Sequence, residues 1–137
     1  MFKHTVEYKD FNGNDRKEEL YFHLSLPEVT RLEAEIGKPM EEYIKELTTN
    51  KDLKTLLDFL EKMILNSYGQ KTSDGKSFHK SKAIRDDFEY SQAYAEVFEQ
   101  LLTNPELAKK FGSAVSDNGK AKKNQVAPQV VNNQPQQ

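Results

Sequence analysis

The strongest run of periodic apolar positions lies in DLKTLLDFLEKMILNSYG, residues 52–69. Leu53, Leu56, Leu57, Leu60, Met63 and Ile64 fall at the i, i+3, i+4, i+7 spacing of one helical face. Phe59, Leu65 and Tyr68 widen that face, which predicts a central helix touched on more than one side. Asp52 is its expected N-cap and Gly69 its expected stop. At the N-terminus the period changes to two. Phe2, Val6 and Tyr8 alternate with polar residues, as do Leu20, Phe22 and Leu24, and Asn12-Gly13-Asn14 lies between them. This is the pattern of a β-hairpin. A three-residue loop pairs Val6 with Leu20, His4 with Phe22 and Phe2 with Leu24. A slip of one residue would turn the apolar set to solvent. The same register sets Glu7 opposite Glu19, two like charges.

Shorter helices are predicted around this core. Ser25 and Glu28 form a capping box with Pro27 in the first turn. The helix they open runs to Ile36, with Val29, Leu32 and Ile36 inward, and Gly37 ends it. Pro39 opens a second helix to Leu47 with Met40, Tyr43, Ile44 and Leu47 on one face. Residues 69–80, GQKTSDGKSFHK, read as a loop turning at Ser73-Asp74-Gly75 and pinned by Phe78. Ser81 caps a helix through Phe88, with Ala83, Ile84 and Phe88 apolar. Ser91 caps another, with Tyr94, Val97, Phe98, Leu101 and Leu102 on one face. Asn104-Pro105 starts a last helix carrying Leu107 and Phe111. The expected fold is α+β, mostly α: an N-terminal β-hairpin packed on a bundle of five to six short helices, forming one folded domain over residues 1–112. Residues 113–137 are an Asn-, Gln- and Lys-rich tail. From 116 on it has no aromatic residue and too little apolar surface to offset its ordering entropy, so disorder is expected.

Charge and composition narrow the function. The 137 residues carry a net charge of −2. Residues 1–112 hold 17 Lys and Arg against 21 Asp and Glu, a balance of −4, and the remaining residues hold three Lys against one Asp. An acidic folded part argues against gripping nucleic-acid phosphates. There is no cysteine, which excludes disulfides, thiolate nucleophiles and Cys-ligated zinc. MFKHTVEYKD is charged and lacks the apolar core of a signal peptide, and the longest apolar runs fall short of a membrane span. No membrane partner is expected.

No constellation of catalytic residues emerges. His4, His23 and His79 have no metal-ligand spacing, and in the predicted hairpin His4 and His23 face opposite ways. Asp86, Asp87 and Glu89 are sequence neighbours that point to different sides of a helix. Glu41 and Glu42 suit the first turn of theirs. SDGK at 73–76 lacks the glycine spacing of a phosphate loop. No enzymatic activity, metal or cofactor is expected. Val29–Leu47 has a helix-turn-helix spacing, but its second helix carries Glu41, Glu42 and Glu46 against Lys45 alone, which disfavours DNA.

In order along the chain come an ILNSYG stretch, a DGKSF turn, a Lys-Ser cap and the segment DDFEYSQAY, preceded by EYKDFNGNDRKEELYFHL near the start. This succession resembles the small tail assembly chaperones of long-tailed bacteriophages, over about residues 3–112, with the tail outside the resemblance. The resemblance implies a non-enzymatic protein of the infected host's cytoplasm, absent from the mature virion. It implies binding to the long, helical, aggregation-prone tape-measure protein, keeping it soluble and helping recruit tail-tube protein. The expected partners are therefore the tape-measure and tail-tube proteins, with self-association as a further option and without nucleic acid. A client of this kind can be shielded by laying its apolar helix face into a groove. Tyr68, Phe88, Tyr90 and Tyr94 are the candidate groove residues, weighed against the plain reading that aromatics form the core. The rival functions are a head–tail or tail-tube adaptor retained in the virion and a small DNA-binding regulator.

Overall fold

A computed structural model describes residues 1–50 and 52–117. Two strands, β1 (Phe2–Lys9) and β2 (Asp15–Phe22), are followed by the helices α1 (Leu26–Ile36), α2 (Met40–Asn50) and α3 (Leu53–Ser67). A second strand pair, β3 (Tyr68–Lys71) and β4 (Phe78–His79), precedes α4 (Lys82–Glu89), α5 (Gln92–Thr103) and α6 (Pro105–Val115). The α+β class, with the N-terminal hairpin packed on six helices, is as the sequence predicts. The sheet, however, has four antiparallel strands in the order β1-β2-β3-β4.

The hairpin register differs from the expected one by two residues. Phe2 pairs with Phe22, His4 with Leu20 and Val6 with Glu18. The physical cause is Asp10. One carboxylate oxygen accepts the amides of Asn12 and Asn14 at 2.9 Å each, and the other accepts Arg16 Nε at 2.8 Å. The Asp10 amide donates to the Asn14 carbonyl and Gly13 N–H donates to the Asp10 carbonyl. These bonds close a loop of five residues rather than three. The shift also removes the Glu7–Glu19 opposition: Glu7 now faces Lys17. Lys9 pairs with Asp15 at 2.7 Å and Lys3 with Glu19 at 3.3 Å. A slip of two preserves the inward face, so the apolar set stays buried.

Residues 69–80 are not simply a loop. The Ser67 carbonyl accepts His23 N–H, Tyr21 pairs with Gly69 and Phe22 with Tyr68, so the chain leaves α3 directly into a strand on β2. Gly69 is therefore not a helix stop. Its backbone lies under the Phe78 ring: a Cβ added there would stand 2.6 Å from Phe78 Cε2 and 2.8 Å from the His79 carbonyl oxygen. Glycine is required because the β4 strand crosses so closely.

The helical caps follow the sequence. Ser25 and Glu28 form both halves of the capping box, and Ser81, Ser91 and Asn104 each accept an amide of their helix's first turn. Asp52 caps α3, although Leu53 beside it is exposed rather than inward. Glu33 reaches past the α1 terminus and accepts the Met40 amide at 2.9 Å, linking α1 to the start of α2.

The core lies between the inner sheet face and the helices. Phe22 is fully buried, with the ring centroids of Phe2, Tyr68, Phe88 and Phe111 at 5.7 Å to 6.2 Å from its own. Such pairs each contribute about 0.5–1.5 kcal/mol beyond burial. Ile64 and Val97 are fully buried from α3 and α5. The domain boundary expected at Gly112 falls inside α6. That helix continues to Val115, which is fully buried, and the Val115 and Ala114 carbonyls accept Leu24 N–H and the N-terminal ammonium. Gly112 permits the crossing with α2, since a Cβ there would stand 3.0 Å from Ile44 Cδ1. The remainder of the tail, 118–137, lies outside the described residues.

Candidate functional site

Three of the four aromatics singled out from the sequence come together at the junction of β3, α4 and α5. Tyr68 stacks on Phe88 with centroids 4.0 Å apart and planes 12° apart. Tyr94 meets the Phe88 ring edge-on at 5.6 Å. Phe88 is only 4% exposed, and acts as the hub that joins Tyr68 and Tyr94 to Phe22. Tyr90 is separate: it follows the last turn of α4 and is 72% exposed. Burial pushes the Tyr94 hydroxyl up to about 12, with Glu61 and Glu89 adding to the effect, and burial raises that of Tyr68 also. Both hydroxyls stay neutral at physiological pH. Phe78, the residue expected to pin the 69–80 segment, lies on the opposite sheet face from Tyr68, over Gly69 and edge-on to His23 at 6.1 Å.

The Tyr68 ring also forms part of the floor of an open cleft of about 400 Å³ between α1, α3 and the start of α4. Leu24, Leu32, Met63 and Leu65 complete the apolar floor. The walls carry five cations, Arg31, Lys62, Lys80, Lys82 and Arg85, against two carboxylates, Glu28 and Glu35. The balance is opposite in sign to that of the chain as a whole. Lys80 holds Glu28 through both carboxylate oxygens, at 2.8 Å and 3.0 Å. Burial alone would raise the Glu28 carboxyl, but the bonds from Lys80 and the Ser25 amide outweigh it and hold the group below its ordinary value. Lys62 pairs with Glu35 at 3.3 Å, and Lys82 pairs with Asp86 at 2.6 Å. Arg85 donates to the Asn66 side-chain oxygen at 3.3 Å. Neither Arg85 nor Arg31 pairs with a carboxylate among the described residues. No sequence signal marks this cleft. Its cations come from three segments that only the fold brings together.

Of the histidines near the hairpin, His4 has a side-chain partner, whereas the buried Nδ1 of His23 has none among the described residues. His4 Nε2 lies 2.6 Å from Gln100 Oε1 and its ring stacks on Phe2 at 5.5 Å. His23 is half-buried, and burial, the N-terminal ammonium and Lys80 lower its basicity. Among the described residues no group of three or more acidic or histidine side chains could hold a metal ion. No helix there is long and apolar enough to cross a membrane.

The site is thus an open surface feature, with an apolar floor and charged walls, rather than a set of converging reactive groups. A family model described as phage tail assembly chaperone matches residues 1–131. The match runs past Gly112, into the segment that the sequence resemblance leaves out. Comparison with curated proteins and with solved structures gave no match. With nearly the whole chain matched, from the first hairpin strand into the tail, the protein belongs to the phage tail assembly chaperone family.

Proposed function

We propose that the chain binds the tape-measure protein of a long phage tail, keeps it soluble and helps recruit tail-tube subunits, without enzymatic activity of its own. The observation that carries this reading is the apolar-floored cleft on a member of the tail assembly chaperone family. An amphipathic client helix laid into such a groove loses its aggregating face to solvent no longer. Of the four aromatics, Tyr68 in the floor and Tyr90 at the surface are assigned to contact. Phe88 and Tyr94 hold Tyr68 in place. The protein acts in the host cytoplasm and is left out of the finished virion.

Co-expression tests the reading. The tape-measure protein is produced with and without this chain, and its soluble fraction is measured. A several-fold rise with the chain present is expected. An equally insoluble tape-measure protein in both cultures overturns the proposal. Mass spectrometry of purified particles tests the transient role: the chain should be missing, and its presence at stoichiometric amounts would place it among the virion components instead.

A further inference from the structure

We infer that the cleft between α1, α3 and α4 selects a partner helix whose apolar stripe is flanked by carboxylates, an acidic amphipathic helix rather than a basic one. The inference rests on the tape-measure reading and adds the place and the charge of the bound segment. Charge complementarity carries it. The chain is net acidic, yet the cleft walls hold five cations against two carboxylates. Three of the five, Lys62, Lys80 and Lys82, already have carboxylate partners. Arg31 and Arg85 do not, among the described residues, and they stand on different helices beside one apolar floor. Both are exposed, so neither is held there by packing. A guanidinium offers a planar fork that receives a carboxylate through two hydrogen bonds, and it desolvates at lower cost than an ammonium. A helix with leucines on one face and glutamates on its flanks would meet the floor and both forks together. A helix flanked by lysines would meet the floor at the expense of two like-charge contacts.

The chain's own tail is a poor occupant on the same ground. Residues 118–137 carry Lys120, Lys122 and Lys123 and no acidic side chain, so their charge has the sign of the cleft walls.

The test uses the full chain and three labelled synthetic helices, each about 20 residues long to secure helicity. One has a leucine stripe flanked by glutamates, the second the same stripe flanked by lysines, and the third the glutamates without leucines. Fluorescence anisotropy gives each affinity at about 50 mM and about 300 mM salt, which spans weak to strong screening. The leucine–glutamate helix is expected to bind at least about tenfold more tightly than the lysine one, with a narrower gap at high salt. The glutamate-only helix should bind far more weakly than the leucine–glutamate helix. Arg31→Glu/Arg85→Glu should invert the preference, with an unchanged thermal midpoint to show that the fold is intact. Equal binding of the two leucine helices overturns the inference. So does equal binding of the glutamate-only helix, or displacement by duplex DNA as effective as by the unlabelled peptide, either of which marks a general anion site. Sedimentation velocity covers the remaining occupant: a dimer broken by the double substitution and unable to bind the peptide would assign the cleft to a second copy and overturn it as well. The two claims fail separately. If wild-type chain solubilises the tape-measure protein but shows no charge preference, the cleft inference falls and the reading stands. If the preference is found but co-expression gives no solubilisation, the reading falls alone.

Discussion

Replacing Phe88 by alanine separates packing from docking within the aromatic set. The ring is 4% exposed, stacks on Tyr68 at 4.0 Å and meets Phe22 and Tyr94 at 5.8 Å and 5.6 Å. Removal of a phenylalanine ring from such a site costs about 3–5 kcal/mol, because the lost transfer energy adds to that of the cavity left behind. The upper half of that range applies here, since the facing rings are themselves pinned by Phe22 and α5 and cannot collapse into the gap. A domain of this size holds about 5–15 kcal/mol in all, so the variant should lose about a quarter or more of its stability. In thermal terms that is a fall of about 10–20 °C in Tm. Tyr90→Ala is the paired control: at 72% exposure its change should stay within about 0.5 kcal/mol. The assay is urea and thermal unfolding followed by far-UV circular dichroism. A Phe88→Ala variant that melts within about 3 °C of the parent would refute the reasoning, because the ring could then not be the hub of the core. A Tyr90→Ala loss above about 2 kcal/mol would refute it from the other side.

Further outcomes follow from particular contacts. Gly69→Ala should loosen the β3–β4 hairpin, since its Cβ would meet the His79 carbonyl at 2.8 Å as well as the Phe78 ring. The expected cost is about 1–3 kcal/mol, as for other forced contacts, with faster hydrogen exchange confined to β3 and β4. Glu28 has a lowered folded-state value, so its stabilisation is full above the ordinary carboxylate range and is lost as pH falls through that lowered value. Unfolding measured from pH 7 downward should therefore show an acid slope that Glu28→Gln flattens. His23 is also lowered, so its contribution is full above about 6.5 and declines as pH falls below it, a separate window that His23→Gln should remove. In ultraviolet titration one tyrosine should ionise only near 12, and Tyr94→Phe should abolish that last step.

What could be read from the sequence was local. Ser25, Asp52, Ser81, Ser91 and Asn104 all cap helices because a side-chain oxygen three residues before an orphan amide needs nothing from the rest of the fold. What could not be read depended on distant partners. YGQK lacks alternation and β4 is two residues long, so neither has a strand signal of its own. They form strands because β2 offers an edge and the Ser67 carbonyl takes the His23 amide. The association of glycine with helix stops points to an end at Gly69, and the change of composition points to a boundary at Gly112. Gly69 instead stands where β4 crosses too closely for a side chain, and Gly112 lies inside α6 in tight contact with the Ile44 side chain of α2. The hairpin register turns on the Asp10 carboxylate, whose hydrogen bonds outweigh the three-residue loop suggested by Asn12-Gly13-Asn14.

The candidate site divides along the same line. Tyr68, Phe88, Tyr90 and Tyr94 are readable in the sequence as groove or core aromatics, but Tyr68 reaches Phe88 only because β3 carries it along β2, and Tyr90 stays apart at the surface. Arg31, Lys62 and Arg85 are ordinary surface residues until α1, α3 and α4 set them around Leu32, Met63 and Leu65. Nothing in a one-dimensional pattern distinguishes such cations from those that only solvate a helix.

The central claim, that this chain binds the tape-measure protein through the cleft, is tested most directly by hydrogen–deuterium exchange on the co-expressed complex. Exchange of the chain alone is compared with that of the complex, peptide by peptide. The account predicts slowed exchange in α1, in the second half of α3 and at the start of α4, with the hairpin tip at Asp10–Asn14 unchanged. Absence of a complex, or protection that leaves α1, α3 and α4 untouched, would contradict it.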